Sequence, residues 1–109
     1  RFHNTKPERF LKSILSVNGV KHDSQKQVFG TPDIFIKPNI CIFVDGCYWH
    51  GCKQCGYDSN EIIIKKSRRD KLVNKTLKKQ GYKVIRLWEH EIYKNPIKCF
   101  SILENEICQ

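Results

Sequence analysis

One short stretch of the sequence holds most of the residue types that do chemistry in proteins. Residues 43–55 read FVDGCYWHGCKQC, in which an apolar run ends in an acid and is followed by a histidine and three cysteines. A structural zinc ion takes four thiolate or imidazole ligands in a tetrahedron. The C-x4-C-x2-C spacing of Cys47, Cys52 and Cys55 therefore predicts a zinc site, with disulfide pairing and free thiols as the alternatives.

The fourth zinc ligand has to come from outside these cysteines. The candidates are His50, His90, Cys41, Cys99 and Cys108. We choose His90, because it follows a predicted strand, residues 82–88, that ends near where a parallel neighbour, residues 40–44, would also end. The three remaining cysteines are interpreted as buried free thiols.

Carboxylates at the ends of two strands could hold a different metal ion. Asp33 begins one predicted strand and Asp45 ends the next, and such positions come close together in an antiparallel hairpin. Paired carboxylates can hold Mg²⁺ at a phosphate while a base takes a proton from the attacking water. The alternative for Asp33 and Asp45 is that each is a structural turn residue. Glu8 is a further candidate acid, and its alternative is a structural role in a helix capping box. His50 could be the base, a zinc ligand or a packed imidazole.

The charge balance points to an anionic partner. Twenty Lys and Arg oppose eleven Asp and Glu, which leaves a net charge of +9. A nucleic acid is the polyanion that this balance favours, with solubility as the alternative explanation. No apolar run is long enough to span a membrane, and RFHNTKPERF lacks the apolar core of a signal peptide. We therefore expect an intracellular protein. A chain of 109 residues has the length of one domain, so residues 1–109 are expected to form a single domain.

The hydrophobic pattern predicts the elements that position these residues. Thr5-Lys6-Pro7-Glu8 begins an amphipathic helix that ends at Asn18-Gly19. Short extended pieces (20–22, 28–29) precede a hairpin of two strands (33–36, 40–44), a basic helix (67–80), a strand (82–88) and a last helix from Pro96. The basic helix is expected to turn Leu72, Val73, Thr76 and Leu77 inward, and the last helix Ile97, Phe100, Leu103 and Ile107. This order predicts an α/β fold with a mixed central sheet flanked by helices.

Five sequence blocks together resemble the very-short-patch-repair (Vsr) DNA endonucleases of the PD-(D/E)xK nuclease superfamily. The blocks are NTKPE (4–8), GTPDIFI (30–36), CIFVDGCYWHGC (41–52), RRD (68–70) and LKKQGYKVIRLWEHEI (77–92). The resemblance runs from Asn4 to about Tyr93. It implies a restriction-endonuclease-like fold with a structural zinc ion, and Mg²⁺-dependent hydrolysis of a DNA phosphodiester, with strand nicking at T:G mismatches as one form.

The resemblance also implies roles for individual residues. Asp33 matches the family's Mg²⁺ ligand, and Val44 matches the position whose backbone carbonyl completes the coordination. His50 matches the histidine that activates water, a role that suits an imidazole side chain. Glu8 matches an acid that reaches the metal's water shell, and Asp45 falls at a position near the phosphate.

The same comparison places the predicted zinc ligands on or beside those of the family, with some ligand types exchanged. Here Cys52 stands in the loop and His90 follows Trp-Glu, where the family usually has histidine and cysteine respectively; Cys55 is the loosest match. Residues 56–66 form a short segment whose single aromatic residue is Tyr57. Because the repair enzymes use aromatic side chains near here to wedge into mismatched DNA, we expect mismatch specificity to be altered or lost.

Double-stranded DNA is the expected partner. Arg68, Arg69 and Lys75 on the basic helix are predicted phosphate contacts, and Tyr48 and Trp49 are predicted to stack on or between bases. A solvated face and packing under the loop are the respective alternatives. A zinc-stabilised DNA-binding module, or an inactive nuclease-fold subunit with DNA-repair or restriction partners, is the second hypothesis. The expected location is cytoplasmic, with the nucleoid of a bacterium or with phage DNA.

Overall fold

A mixed sheet forms the centre of the protein. The computed structural model describes residues 4–48, 50, 52–56 and 60–107. Four strands, β1 (Asp23–Ser24), β2 (Ile34–Ile36), β3 (Ile40–Asp45) and β4 (Lys83–Trp88), lie in the order β1-β2-β3-β4. The β1–β2 and β2–β3 pairs are antiparallel, whereas β3 and β4 are parallel. The predicted mixed sheet is confirmed.

Four helices surround this sheet in the part of the chain that the structure describes. They are α1 (Lys6–Val17), α2 (Glu61–Lys79), α3 (Glu89–Lys94) and α4 (Pro96–Ile107), and a short 3-10 turn covers Lys53–Cys55. Proline begins α4 and stands in the first turn of α1, where the missing N–H costs no helical hydrogen bond. None of these helices combines the length and the apolarity that crossing a bilayer requires.

The sheet is covered on both faces. Side chains of one face, including Ile34, Ile42 and Leu87, form a core cluster with residues of α1, α3 and α4. Side chains of the other face, such as Phe35 and Phe43, pack with residues of α2. All six residues of β3 are buried, as the apolar run predicts for a strand enclosed on both faces. The carboxyl end of β3 is therefore held firmly by the core.

Helix α2 and its neighbours differ from the prediction in three respects. Helix α2 begins at Glu61, not at residue 67, because the Asn60 side chain accepts a hydrogen bond from the Ile63 N–H at 3.0 Å and caps the helix. Leu72 was expected inside but is 50% exposed. Helix α3 was not predicted, since Glu89-His90-Glu91 breaks the apolar pattern.

Three smaller predictions are also wrong. The strand that pairs with β2 is Asp23–Ser24, and residues 20–22 and 28–29 are not strands. Ile97 is 83% exposed, although Leu103 is buried as expected. Thr5 makes no side-chain capping bond to α1, and Glu8 accepts its hydrogen bond from the Asn4 N–H at 2.9 Å. The predicted capping box is therefore absent.

Candidate functional site

The four predicted zinc ligands come together at one edge of the sheet. The ligand atoms of Cys47, Cys52, Cys55 and His90 all lie within 4.8 Å of one another. The Nδ1 atom of His90 is 3.2 Å from the Cys47 Sγ, 3.6 Å from the Cys52 Sγ and 3.5 Å from the Cys55 Sγ. These four residues, called here the Cys3His cluster, form a donor set of the type that holds a tetrahedral metal ion.

Sheet topology explains why residues so far apart in sequence meet. The register of the parallel pair sets Asp45 opposite Trp88, so the segments that follow β3 and β4 leave the sheet at the same edge. Residues 46–56, called here the cysteine loop, follow β3, and His90 lies in the first turn of α3. The Cys47 N–H donates to Glu89 Oε1 at 3.3 Å, which joins the two segments directly.

The protonation of the cluster suits a metal. The Nε2 atom of His90 lies 2.9 Å from the Gln54 Oε1, which can only accept, so Nε2 carries the proton and Nδ1 faces the thiols as a ligand. Burial raises the pKa of the Cys47 thiol to about 12, so a bound cation is needed to hold the thiolate. All described cysteines are free thiols, which argues against the disulfide alternative within the described residues.

A second group of donors consists of oxygen atoms. Asp33 is fully buried, and its Oδ2 accepts a hydrogen bond from the Val44 N–H at 2.8 Å. Asp33 therefore lies against the backbone at Val44, whose carbonyl is the predicted partner ligand. Oxygen donors of this kind are the ligands that Mg²⁺ prefers. These residues could hold such an ion.

Glu8 approaches the same place from α1. Its side chain is buried, and burial, the nearby Asp33 charge and a hydrogen bond with Asp33 raise the pKa of Glu8. Two carboxyl groups this close compete for one proton unless a cation lies between them. The pair thus has the electrostatic character of a cation site.

His50 stands inside the cysteine loop and meets two other acids. Its Nδ1 is 2.5 Å from the Asp70 Oδ2, and its Nε2 is 3.8 Å from the Asp45 Oδ1. Asp70 belongs to α2 and Asp45 ends β3, so three elements contribute to what we call the Asp–His–Asp cluster. Burial raises the pKa of Asp45, while Arg86 and His50 act against that rise. The hydrogen bond to Asp70 fixes the orientation of the imidazole.

Asp33 and Asp45 belong to different groups, contrary to the expectation that the hairpin brings them onto one cation. The β2–β3 register pairs Ile34 with Ile42, so its continuation sets Asp33 opposite Phe43 and short of Asp45. Asp45 instead groups with His50 and Asp70. Asp33 therefore lies beside Glu8 and Val44, whereas Asp45 lies beside His50 and Asp70.

A cleft of about 700 Å³ connects these groups. Its lining includes Glu8, Val44, His50, Asp70 and Arg86. Asp33 is fully buried and does not line the cleft, but it is a close neighbour of Glu8, which does. A molecule in the cleft would thus meet His50 and Glu8 together.

Gly30 allows α2 to approach the sheet at this cleft. It has φ +81°, and a Cβ at this position would lie 2.5 Å from the Val73 Cγ1. Only glycine meets both conditions without strain. The GTPD block therefore holds α2, and with it Asp70, close to β3.

The predicted DNA-binding residues divide into two groups. Arg69 and Tyr48 line the cleft, and the Arg69 guanidinium lies 4.7 Å from the centre of the Phe29 ring. Arg68 and Lys75 are exposed and do not line the cleft, since helical spacing turns them away from the sheet. Trp49 lies outside the described residues, as do Tyr57 and Cys108.

Several known proteins are similar to this chain in sequence. The sequence model of the family described as DNA mismatch endonuclease Vsr matches residues 1–56. The Type II nicking enzyme V.HpaIIP of Haemophilus parainfluenzae is 35% identical over 112 aligned positions, which cover 90% of this chain and 77% of that protein. The chain belongs to the Vsr family of DNA endonucleases.

Further comparisons place this Vsr-family chain among nucleases. The Type II nicking enzyme V.NmeDIP of Neisseria meningitidis serogroup C is 34% identical over 107 positions, covering 87% of this chain and 72% of that protein. The catalytic domain of the homing endonuclease I-Bth0305I superposes with a TM-score of 0.59 at 22% identity, covering 95% of this chain and 91% of that chain. The latter similarity shows a shared fold, which confirms the predicted class.

Sequence reasoning missed two residues of the Vsr-family cleft. Asp70 lies in the RRD block, but only the two arginines of that block were predicted to have a role. An acid on a basic helix is typical of a solvent-exposed surface position. Arg86 donates from Nη1 to the Asp45 Oδ1 at 2.9 Å and lies 3.5 Å from the Asp70 Oδ1. An arginine within the apolar strand Lys83–Trp88 was the signal that could have identified it.

Proposed function

We propose that this chain is a Mg²⁺-dependent endonuclease that nicks one strand of double-stranded DNA by hydrolysing a phosphodiester bond. The observation that carries the proposal is the position of His50, which is oriented by Asp70 in a cleft that is also lined by Glu8, the hydrogen-bond partner of Asp33. A histidine and a metal-binding acid pair within one cleft are the parts that water attack on a phosphate requires. The nicking outcome is inferred from the names of the relatives.

The residues of the cleft divide the work. Asp33 and the Val44 carbonyl would hold Mg²⁺, with Glu8 acting through the metal's water shell. When bound, Mg²⁺ supplies positive charge to the phosphate and the leaving oxygen. The His50 Nδ1–H would donate a hydrogen bond to the Asp70 carboxylate, which leaves the Nε2 lone pair to take the proton of the attacking water. Asp45, 3.8 Å from that Nε2, stabilises the imidazolium that forms.

Zinc has a structural role in this proposal. Cys47, Cys52, Cys55 and His90 would enclose the ion with four protein ligands and leave no open position for substrate. Because His50 lies between the first and second cysteine of the cysteine loop, zinc would hold the proposed base in register with Asp70. Loss of zinc would thus act on catalysis through geometry.

The proposed DNA contacts follow from the same cleft. Arg69 would contact the backbone of the strand that is cut, and Tyr48, with Trp49, would meet the bases. Arg68 and Lys75 face away from the cleft and would contribute through the overall positive electrostatic potential of the protein. We infer that residues 1–109 act as one unit on DNA, and therefore inside the cell. T:G-mismatched DNA is a substrate to be tested beside matched DNA.

The test is cleavage of supercoiled plasmid and of a T:G-mismatched duplex in Mg²⁺. Asp33→Asn and His50→Ala are expected to lower the nicking rate by at least about 10²-fold, the usual contribution of a general base. Asp23→Asn, at an exposed aspartate of β1, and His22→Ala, at a half-buried histidine, are the matched controls. If wild-type protein binds both DNAs but cuts neither, the chain is a binding module and the proposal is wrong.

A further inference from the structure

The Asp–His–Asp cluster has the composition of a metal site. The ligand atoms of Asp45, His50 and Asp70 all lie within 4.8 Å of one another. Two carboxylates at this separation repel each other unless a cation neutralises them. The cluster therefore needs a positive charge of its own, apart from the ion expected at Asp33.

Arg86 already supplies that charge. Its Nη1 donates to the Asp45 Oδ1 at 2.9 Å and lies 3.5 Å from the Asp70 Oδ1, so one nitrogen bridges both acids. The Arg86 side chain is 17% exposed. Such charge-assisted bonds are stronger than neutral ones, particularly in partly buried sites.

The guanidinium is itself held from two directions. Its Nε donates to the Asn74 Oδ1 at 2.6 Å, and its central carbon lies 4.3 Å from the centre of the Phe43 ring. Asn74 is on α2 and Phe43 is on β3, so both elements that carry the acids also hold the arginine. A planar group fixed in this way has little freedom to rotate away from either acid.

We propose that Arg86 is a positioning residue of the endonuclease, acting as the built-in cation of the Asp–His–Asp cluster and holding Asp70 against His50. This inference rests on the proposed role of His50 as the base. A metal ion at the cluster would use an imidazole nitrogen as a ligand and block proton transfer at that atom. A covalently attached cation neutralises the acids and leaves the imidazole free to accept a proton.

The first test is kinetic and uses Arg86→Met, which keeps much of the apolar side chain over Phe43. We expect kcat for nicking to fall by about 10²-fold or more, with KM for DNA changed by less than about threefold. Lys83→Met, at a cation of the same strand that pairs with Glu106, is the matched control and is expected to leave kcat unchanged. Arg86→Lys keeps the charge but loses the planar fork, and is expected to lower kcat by about tenfold.

Guanidinium ion added to Arg86→Ala should restore part of kcat, because it can occupy the vacated position. The double variant Arg86→Met with Asp70→Asn should be no slower than Asp70→Asn alone, since both changes act on His50. The inference is overturned if the two losses multiply, if KM rises while kcat is kept, or if Arg86→Met or Arg86→Lys behaves like Lys83→Met.

A binding measurement separates this inference from the proposed function. Mn²⁺ titration followed by electron paramagnetic resonance should show one more Mn²⁺ site in Arg86→Met than in wild type, lost again when Asp70→Asn is added. Wild-type protein that fails to cut DNA would refute the proposed function, yet the Mn²⁺ counts would still decide the role of Arg86 as a built-in cation. If Asp70→Asn alone removes a Mn²⁺ site from the wild type, the cluster is a metal site and the inference is wrong.

Discussion

Removal of one zinc ligand is expected to abolish nicking although no group that contacts DNA is changed. Cys55→Ser is the suitable variant, because Cys55 is the exposed member of the Cys3His cluster and its replacement leaves no cavity in the core. A serine hydroxyl is a poor zinc ligand compared with a thiolate. The change therefore acts on the cysteine loop and leaves the two hydrophobic clusters intact.

The size of the effect follows from what else holds the loop. Ordering its described backbone residues costs roughly 9–18 kcal/mol, at about 1–2 kcal/mol each. A structural zinc ion contributes about 10–16 kcal/mol, whereas the hydrogen bond from His50 to Asp70 contributes about 1.5–3 kcal/mol. Without the metal the shortfall is at least about 6 kcal/mol, so less than about one molecule in ten thousand would keep His50 in place.

The assay compares nicking of supercoiled DNA in excess Mg²⁺ with zinc content measured on the same samples. Cys55→Ser should contain well under one zinc ion per chain and should nick at least about 10⁴-fold more slowly than wild type, with an unchanged far-ultraviolet circular dichroism spectrum. Cys99→Ala, at a buried cysteine of α4 outside the cluster, should keep both zinc and activity. Zinc-free protein that nicks within about tenfold of the wild-type rate would refute the reasoning.

Three further predictions concern stability and DNA affinity. In zinc-loaded protein without Mg²⁺, Glu8→Gln should raise Tm more near pH 8 than near pH 5, because burial and Asp33 raise the folded-state pKa of Glu8. A carboxyl group with a raised folded-state pKa contributes its full stability below the ordinary pKa and loses that stability as pH rises through the raised pKa. Relative to Glu8, the glutamine therefore stabilises the protein at the higher pH by about 1 kcal/mol, or roughly 5 °C in Tm. Calorimetry that shows the larger gain in Tm at low pH would contradict this. Gly30→Ala should lower stability by about 2–4 kcal/mol, because its Cβ would lie 2.5 Å from the Val73 Cγ1 at φ +81°; a denaturant midpoint equal to wild type would disprove the close contact. Lys75→Ala should weaken binding to all DNA sequences alike and reduce the slope of log affinity against log salt by at most about one unit, as fluorescence anisotropy can measure; a sequence-dependent loss would indicate a base contact instead.

The parts of the fold that could be predicted are those with a simple apolar pattern. The run that forms Ile40–Asp45 is buried on both faces as expected, and proline marks the start of Pro96–Ile107. Helix α3 could not be predicted in this way, because it is short and polar and depends on contacts with α1, α4 and β4. The early start of α2 was missed for the opposite reason, since residues 62–64 are consecutive isoleucines and resemble a strand.

The Cys3His cluster could be predicted from spacing because its geometry depends on one relation, the parallel pairing of β3 with β4. The Asp–His–Asp cluster could not, because it depends on the rotation of α2 about its own axis. That rotation is set by Val73 and Leu77 packing on the sheet and by the close approach at Gly30. A shift of one residue in the helical phase of α2 would move Asp70 by about 100° around the helix axis. Pattern reasoning on a basic helix does not reach that accuracy.

Each cluster of polar side chains at this edge of the sheet would bind or pair with a different cation, and its donor atoms determine which cation that is. The thiols of the Cys3His cluster are soft ligands that favour Zn²⁺, whereas the oxygen atoms of Asp33 and Glu8 favour Mg²⁺. The Asp–His–Asp cluster is matched to Arg86, which cannot dissociate and cannot take the imidazole as a ligand. Since His50 belongs to the cysteine loop and its partner acids belong to β3 and α2, a zinc ion in the Cys3His cluster would act on the imidazole through the loop, and Arg86 would act on it through the acids. In the proposed mechanism the base would thus be positioned by two cations that stay in the protein, and Mg²⁺ would be the cation that meets the DNA.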